Sequence, residues 1–311
     1  MSEDRIAVIV NPASASGSTG RRWKQIADGL SSAGITFESW FTTAPEDATR
    51  LARLACLAGF TRVVAVGGDG TLNEVVNGLL DASGQPLNDV ALGLLSCGTG
   101  DDFARGNGVR GDIGRMIRAI SAGSRRVDIG QVTFQDASQQ QANRFFINVA
   151  DMGLGGDVAT RINAMSKHLG ARPAFIYAAV RSLISYRNKP LRLCVDDGPW
   201  EETTCKLVAV ANGSYFGGGM MIAPLSQPDD GWFDVVIAGD LSFAESLTAM
   251  PRLYSGTHLA LPKVRCLRAR SVRIEAPEAM VLELDGEPVG HGPVHFQLLA
   301  SRLKLLTDRL S

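Results

Sequence analysis

Along the first 128 residues, short β-branched runs alternate with stretches whose apolar residues recur every three or four positions. Ile6–Val10, Ile35–Phe41, Val63–Val66 and Val90–Leu95 have the length and composition of strands, whereas Gly20–Leu30, Pro45–Leu57 and Thr71–Leu80 have the spacing of amphipathic helices. Alternation of this kind predicts an α/β domain, doubly wound, with a mainly parallel sheet covered on both faces. Ligands of such sheets sit beyond the carboxyl ends of the strands. The loops Asn11–Gly20, Thr42–Pro45, Gly67–Thr71 and Ser96–Asp102 are therefore expected to line one crevice.

After Arg126 the pattern changes to strand runs at Phe145–Val149, Leu191–Val195, Lys206–Ala211, Phe233–Ala238, Val272–Ile274, Val281–Leu284 and Val294–Leu299. Three helical stretches, Asp157–Lys167, Pro173–Tyr186 and Phe243–Leu253, are too few to cover a second doubly wound sheet. The expectation is a mostly β C-terminal sandwich domain over 129–311, following an α/β domain over 1–128, with the tail returning to the first domain.

Length and composition alter this picture little. At 311 residues the chain has room for two cores, and a net charge of -1 gives no electrostatic reason to expect a nucleic-acid partner. Its five cysteines are scattered and odd in number, which points to reduced thiols and a cytoplasmic setting. No transmembrane segment is expected: the most apolar stretch, Pro173–Ile184, is short and interrupted by Arg181, so membrane contact would be peripheral. No secretory or transit segment is visible at the N-terminus.

Candidate chemistry concentrates where strand signals drop into glycine. Val63–Val66 runs directly into Gly67-Gly68-Asp69-Gly70-Thr71 and then into a helical pattern. Glycines permit close approach of the backbone to an anion, and the first amides of the next helix carry partial positive charge toward it. Asp69 stands where it can cap the following helix. Near the end of the chain, Asp285-Gly286-Glu287 taken by itself reads as an Asp-Gly hairpin turn. His291 and His295 have the spacing of helical zinc ligands, but Gly290, Gly292 and Pro293 forbid a helix, and His168 and His258 are isolated.

Asn11-Pro12, Gly67 to Glu74, and Gly98-Thr99-Gly100-Asp101-Asp102-Phe103, followed by Asn148 to Gly155, Asn212-Gly213, Pro228 to Phe233 and Leu284-Asp285-Gly286-Glu287-Pro288, closely resemble the motifs of the diacylglycerol kinase catalytic family. The resemblance implies an ATP-dependent lipid kinase. Asn11, Thr42, Gly67, Gly68, Asp69, Gly70, Thr71, Leu72, Asn73 and Thr99 would hold ATP, with Asp69 on its magnesium. Glu287 would accept the proton of the attacking hydroxyl and Asp285 would assist or orient it. A second, structural Mg2+ would rest on Asp230 and the carbonyls of Gln227 and Trp232. Diacylglycerol leads as the lipid substrate, presented at a membrane surface. A homodimer is left open. Two departures stand out: Asp101 occupies a position that is usually Asn in relatives, and no glycine directly follows Ser14 in the first loop. The alternatives are an NAD kinase, against which the absence of a Thr-Pro-Thr-Gly-Ser stretch weighs, and a catalytically silent ATP-binding regulator.

Overall fold

The computed structural model describes residues 4–164, 171–276 and 280–308; Lys167 and His168 lie outside the described residues. The chain divides into two compact units, Met1–Ile129 with Ala300–Ser311, and Gly130–Leu299.

The first unit is built from β1 (Ile6–Val10), α1 (Ser14–Ser32), β2 (Glu38–Phe41), α2 (Asp47–Leu57), β3 (Arg62–Gly67), α3 (Asp69–Leu79), β4 (Ala91–Ser96), α4 (Asp102–Gly106) and α5 (Ile113–Ser121). Its strands run in the order β2-β1-β3-β4, all parallel, with Val10 level with both Phe41 and Val66. Every residue of β1 is buried, as a strand covered on both faces must be. Val8, Val10, Val64 and Val66 form one core with Ile26 and Leu30 of α1 and with Met116 and Ile120 of α5. A fifth parallel neighbour comes from the far end of the chain: residues 300–307 belong to β15 (Glu287–Thr307), where Lys304 and Leu305 pair with Ala91 and Leu92 of β4. Buried Asp128 fixes this return by accepting the Ser301 N–H at 2.6 Å.

The second unit contains β5 (Gly123–Gln135, from its middle onward), β6 (Gln141–Phe146), β7 (Val149–Gly153), α6 (Leu154–Ala164), α7 (Ala171–Ser185), β8 (Lys189–Val195), β9 (Glu201–Cys205), β10 (Leu207–Ala211), β11 (Phe233–Ala238), α8 (Phe243–Ser255), β12 (Val264–Ala269), β13 (Ser271–Glu275), β14 (Val281–Leu284) and the first part of β15. One layer is ordered β12-β11-β10-β7-β14-β15. In the other, β15 also pairs β5 and β13, extended by β6 and by β8-β9. Phe146, Phe233 and Phe296 meet in the core between the layers, with Phe146 stacked on Phe233 at 5.6 Å. This is the α/β domain plus β-sandwich that the sequence predicts.

Several element boundaries differ from those the sequence predicts. The helix expected from Thr71 begins at Asp69. The run Phe145–Val149 is broken into two strands at Ile147-Asn148. The polar strand β9, the long β5, and α5 carry no expectation in the sequence reading, although Ile113, Met116, Ile117 and Ile120 of α5 have helical spacing.

Candidate active site

At the carboxyl end of the first unit's sheet, β3 passes into α3 through two glycines. Neither needs a left-handed conformation, since Gly68 is extended at φ -99°. They are required by proximity. A Cβ on Gly67 would collide with the Thr71 hydroxyl, and one on Gly98 would lie 2.7 Å from Gly68 Cα. The loops after β3 and β4 therefore touch backbone to backbone. Helix α3 leaves its first amides, those of Asp69, Gly70 and Thr71, outside its own ladder, whereas the Leu72 N–H already donates to Gly68 O at 3.1 Å. Leu72 and Asn73 are buried, so their side chains serve the core and α3 itself.

Asn11 bridges two loops. Its Nδ2 donates to Thr71 Oγ1 at 3.0 Å, and its Oδ1 accepts the Ala13 N–H at 3.1 Å. With its oxygen accepting from Asn11, the Thr71 hydroxyl keeps its own proton for another acceptor. Thr42 is buried at the end of β2, with its N–H on Val10 O at 2.9 Å. Thr99 is exposed, and its carbonyl accepts from Arg110 at 3.3 Å. The first loop supplies the conformation that its missing glycine would give: Ala15 and Ser16 are left-handed at φ 50° and 55°, followed by Gly17 at 79°. Holding two non-glycine residues there costs on the order of 1–2 kcal/mol each. Backbone strain of this kind gathers at ligand-holding loops.

Asp69 joins the two carboxyl-end helices. Its carboxylate accepts the Asp102 N–H at 3.0 Å and the Phe103 N–H at 3.2 Å, capping α4 from a distance in sequence. Burial, and next the charge of Asp102, push its carboxyl up to about 7. Asp101, left-handed at φ 51°, is also raised, chiefly by burial. Three acids gathered this closely bind positive charge more strongly than they would in water. Arg105 reaches Asp102 only at 3.8 Å. Among the described residues no three acids, histidines or cysteines are placed to hold a metal ion by themselves, so a cation beside Asp69 would need oxygens of a bound phosphate as well.

In the second unit the turn after β14 separates its two acids sharply. Asp285 and Gly286 both have positive φ, 48° and 97°, the conformation of a two-residue Asp-Gly hairpin between Leu284 and Glu287. The Asp285 carboxylate is buried and accepts three backbone N–H groups, from Ile147 at 3.1 Å and from Asn148 and Val149 at 3.0 Å. This capture breaks the strand run at Ile147-Asn148. Asn148 in turn accepts Asn212 and Gly213 N–H groups on its carbonyl, and Asn212 Nδ2 donates to Ile147 O at 2.8 Å. A Cβ on Gly213 would collide with Asn148 Oδ1. The sequence reading quoted Asn148, Asn212 and Gly213 only as motif letters; the structure makes them the base on which the turn rests. Glu287 opens β15 from an exposed position. Its carboxylate enters none of these bonds.

The segment Gln227 to Trp232 takes the ordinary turn form. Asp230 Oδ1 accepts the Trp232 N–H at 3.1 Å, Oδ2 pairs with Arg268, and Arg270 donates to Gly231 O at 3.2 Å. Both guanidinium groups lie over the Trp232 ring, Arg270 at 4.3 Å and Arg268 at 5.5 Å. A cation on Asp230 would have to displace Arg268, so these residues do not fit one as arranged. Without nucleotide, melting curves recorded in magnesium and in chelator are accordingly expected to superimpose; a rise in melting temperature with magnesium that Asp230→Ala removes would show the opposite. His291 and His295 lie on strand β15, where four residues span about 13 Å, too far to share an ion. His295 instead bonds Ser271 Oγ at 3.0 Å, and His258 bonds Ile222 O at 2.9 Å. The glycines at 217–219 form a left-handed turn beside buried Met220.

The α/β unit and the β-sandwich unit correspond in order and extent to two domains of the lipid kinases. The chain belongs to the diacylglycerol kinase catalytic-domain family. The model of the diacylglycerol kinase catalytic domain matches residues 5–132, and that of the YegS C-terminal NAD kinase beta sandwich-like domain matches residues 148–307. A protein named diacylglycerol kinase from Bacillus subtilis is 31% identical, over 94% of this chain and 92% of its own. A lipid kinase YegS-like protein of Chromohalobacter salexigens is 33% identical, over 83% of this chain and 80% of its own. The crystal structure of a diacylglycerol kinase from Bacillus anthracis shares the fold, with a TM-score of 0.71 at 21% identity, covering 99% of this chain and 98% of that one.

Proposed function

We propose that this lipid kinase uses ATP and magnesium to phosphorylate a lipid hydroxyl, with diacylglycerol as the leading substrate and phosphatidic acid as product. The observation that carries the reading is the division of labour at the 284–287 turn: Asp285 is saturated by three amides, while Glu287 on the same rigid hairpin has its oxygens available. A carboxylate in that state accepts the proton of an alcohol as its oxygen attacks phosphorus.

The free amides of Asp69, Gly70 and Thr71 and the Thr71 hydroxyl suit the phosphates of the nucleotide. Asn11 holds that hydroxyl in its donating orientation, and Thr42 and Thr99 border the same strand ends. Asp69, with Asp102 and Asp101 beside it, would hold the magnesium, which when bound neutralises charge on the transferring phosphoryl group. The lipid is met at a membrane surface; among the described residues no helix is long and apolar enough to cross a membrane.

Transfer of label from γ-phosphate-labelled ATP to a panel of pure lipids, with diacylglycerol, a sphingoid base and NAD in separate arms, tests the reading. Product from diacylglycerol alone supports it. Product from NAD, or nucleotide binding with no product on any arm, would sink it. Asp69→Asn should weaken magnesium-nucleotide binding by about tenfold or more, measured by calorimetry, because one charge is lost from the cluster that faces the cation.

A further inference from the structure

The catalytic turn has a second support, on the opposite side of the sheet from the sandwich core. Asp151 of β7 and Glu283 of β14 are directly opposed partners across an antiparallel pair, so their side chains leave the same face. Both are buried, at 1% and 8% exposure. Their neighbours Ala150, Met152, Leu282 and Leu284 alternate into the core, which leaves the two acids under α6.

Two ionised carboxylates opposed on one buried face would set acceptor against acceptor and charge against like charge, which one shared proton relieves. From each end a backbone amide acts on the pair. The Gly156 amide of α6 favours a charged Asp151 and the Gly286 amide, in the turn that presents Glu287, favours a charged Glu283, each against the larger effect of burial. The cradle is tight: a Cβ on Gly155 would collide with both Asp151 oxygens, and one on Gly156 would meet Val281 O at 2.5 Å. Asp151 Oδ1 is buried with no hydrogen-bond partner among the described residues.

We infer that Asp151 and Glu283 act as one unit, a carboxyl pair holding a single proton, and that this pair positions the 284–287 turn and with it Glu287. The inference rests on the reading of Glu287 as proton acceptor. Among the described residues, none of the main charges acting on the pair is positive. The turn contributes Asp285 and Glu287, both acidic; α6 contributes Asp157, engaged by Arg161 at 2.9 Å; and the residue level with Asp151 on β10 is Ala209. Burial raises both groups, Glu283 to about 7 and Asp151 well above the ordinary carboxylate range, where the charge of Glu283 adds to it. Because the folded-state values are raised, the arrangement is intact at low pH and is lost as pH rises through 7 and above, when two negative charges face each other across one strand pair.

Two measurements on the full chain decide this. Infrared difference spectra across neutral pH should show a protonated, buried carboxyl in the wild type that is absent from both Asp151→Asn and Glu283→Gln. The pH profile of kcat should show an alkaline fall in the wild type. Asp151→Asn, which supplies the hydrogen bond without a removable proton, should abolish that fall, whereas Asp151→Ala, which supplies neither, should lower kcat at every pH, on the order of 10²-fold for a displaced catalytic group. KM for ATP should stay constant throughout. No protonated carboxyl in the wild type at neutral pH, or an alkaline limb unmoved by Asp151→Asn, overturns the proposal. If Glu287→Gln retains kcat while the infrared signal behaves as expected, the carboxyl pair stands and the reading of Glu287 is what fails.

Discussion

Glu287→Gln lowers kcat for lipid phosphorylation by a factor on the order of 10²–10⁴, the range that a positioned general base contributes, while leaving the melting temperature and nucleotide affinity where they were. The contrast between chemistry and stability follows from where the side chain stands. Glu287 is exposed at the first position of β15, and no buried group depends on it for a hydrogen bond. The amide variant keeps the shape and most of the packing and removes only the capacity to take a proton. A variant that unfolds at lower temperature, or that keeps its turnover, would move the base elsewhere.

Asp285→Ala has the opposite signature. Its carboxylate satisfies the N–H groups of Ile147, Asn148 and Val149, all in a region closed to water. Truncation orphans three buried donors, each of which costs about 1–3 kcal/mol when left unmade. Their sum, on the order of 3 kcal/mol or more, is a large part of a typical domain's stability. Denaturant titration should show the midpoint falling with the slope unchanged. Asp285→Asn offers one acceptor oxygen instead of two and is expected to recover part of the loss. An unchanged midpoint in the alanine variant would mean that other acceptors take over the three amides.

Much of the architecture is written in local pattern. The four parallel strands of the first unit are apolar and β-branched because both of their faces are covered, and such runs are recognisable without neighbours. Strand β9, Glu-Glu-Thr-Thr-Cys, is not recognisable in this way: it is a polar strand paired on one side only, with β8, and its sequence looks like a loop. The break in Phe145–Val149 was illegible for a different reason, since the agent that causes it, Asp285, lies far along the chain. The two readings of Asp285-Gly286-Glu287 were not rivals after all. It is an Asp-Gly hairpin, and being one is what holds Asp285 inward and leaves Glu287 outward. Likewise Asp69 caps a helix, but the helix is α4 rather than the one that begins at Asp69 itself, a distinction that spacing alone does not carry. The pairing of Asp151 with Glu283 needed the strand register, because nothing in either segment names its partner.

Because Lys304 and Leu305 are the partners of Ala91 and Leu92, a nascent chain emerging from the ribosome makes β4 early and this second neighbour only after the whole second unit. Until residues 304 and 305 are made, the edge of β4 away from β3 presents unpaired amides and carbonyls, the condition under which sheets recruit other chains. The second unit must be fully translated in the interval, so the order of synthesis places a waiting period on the first.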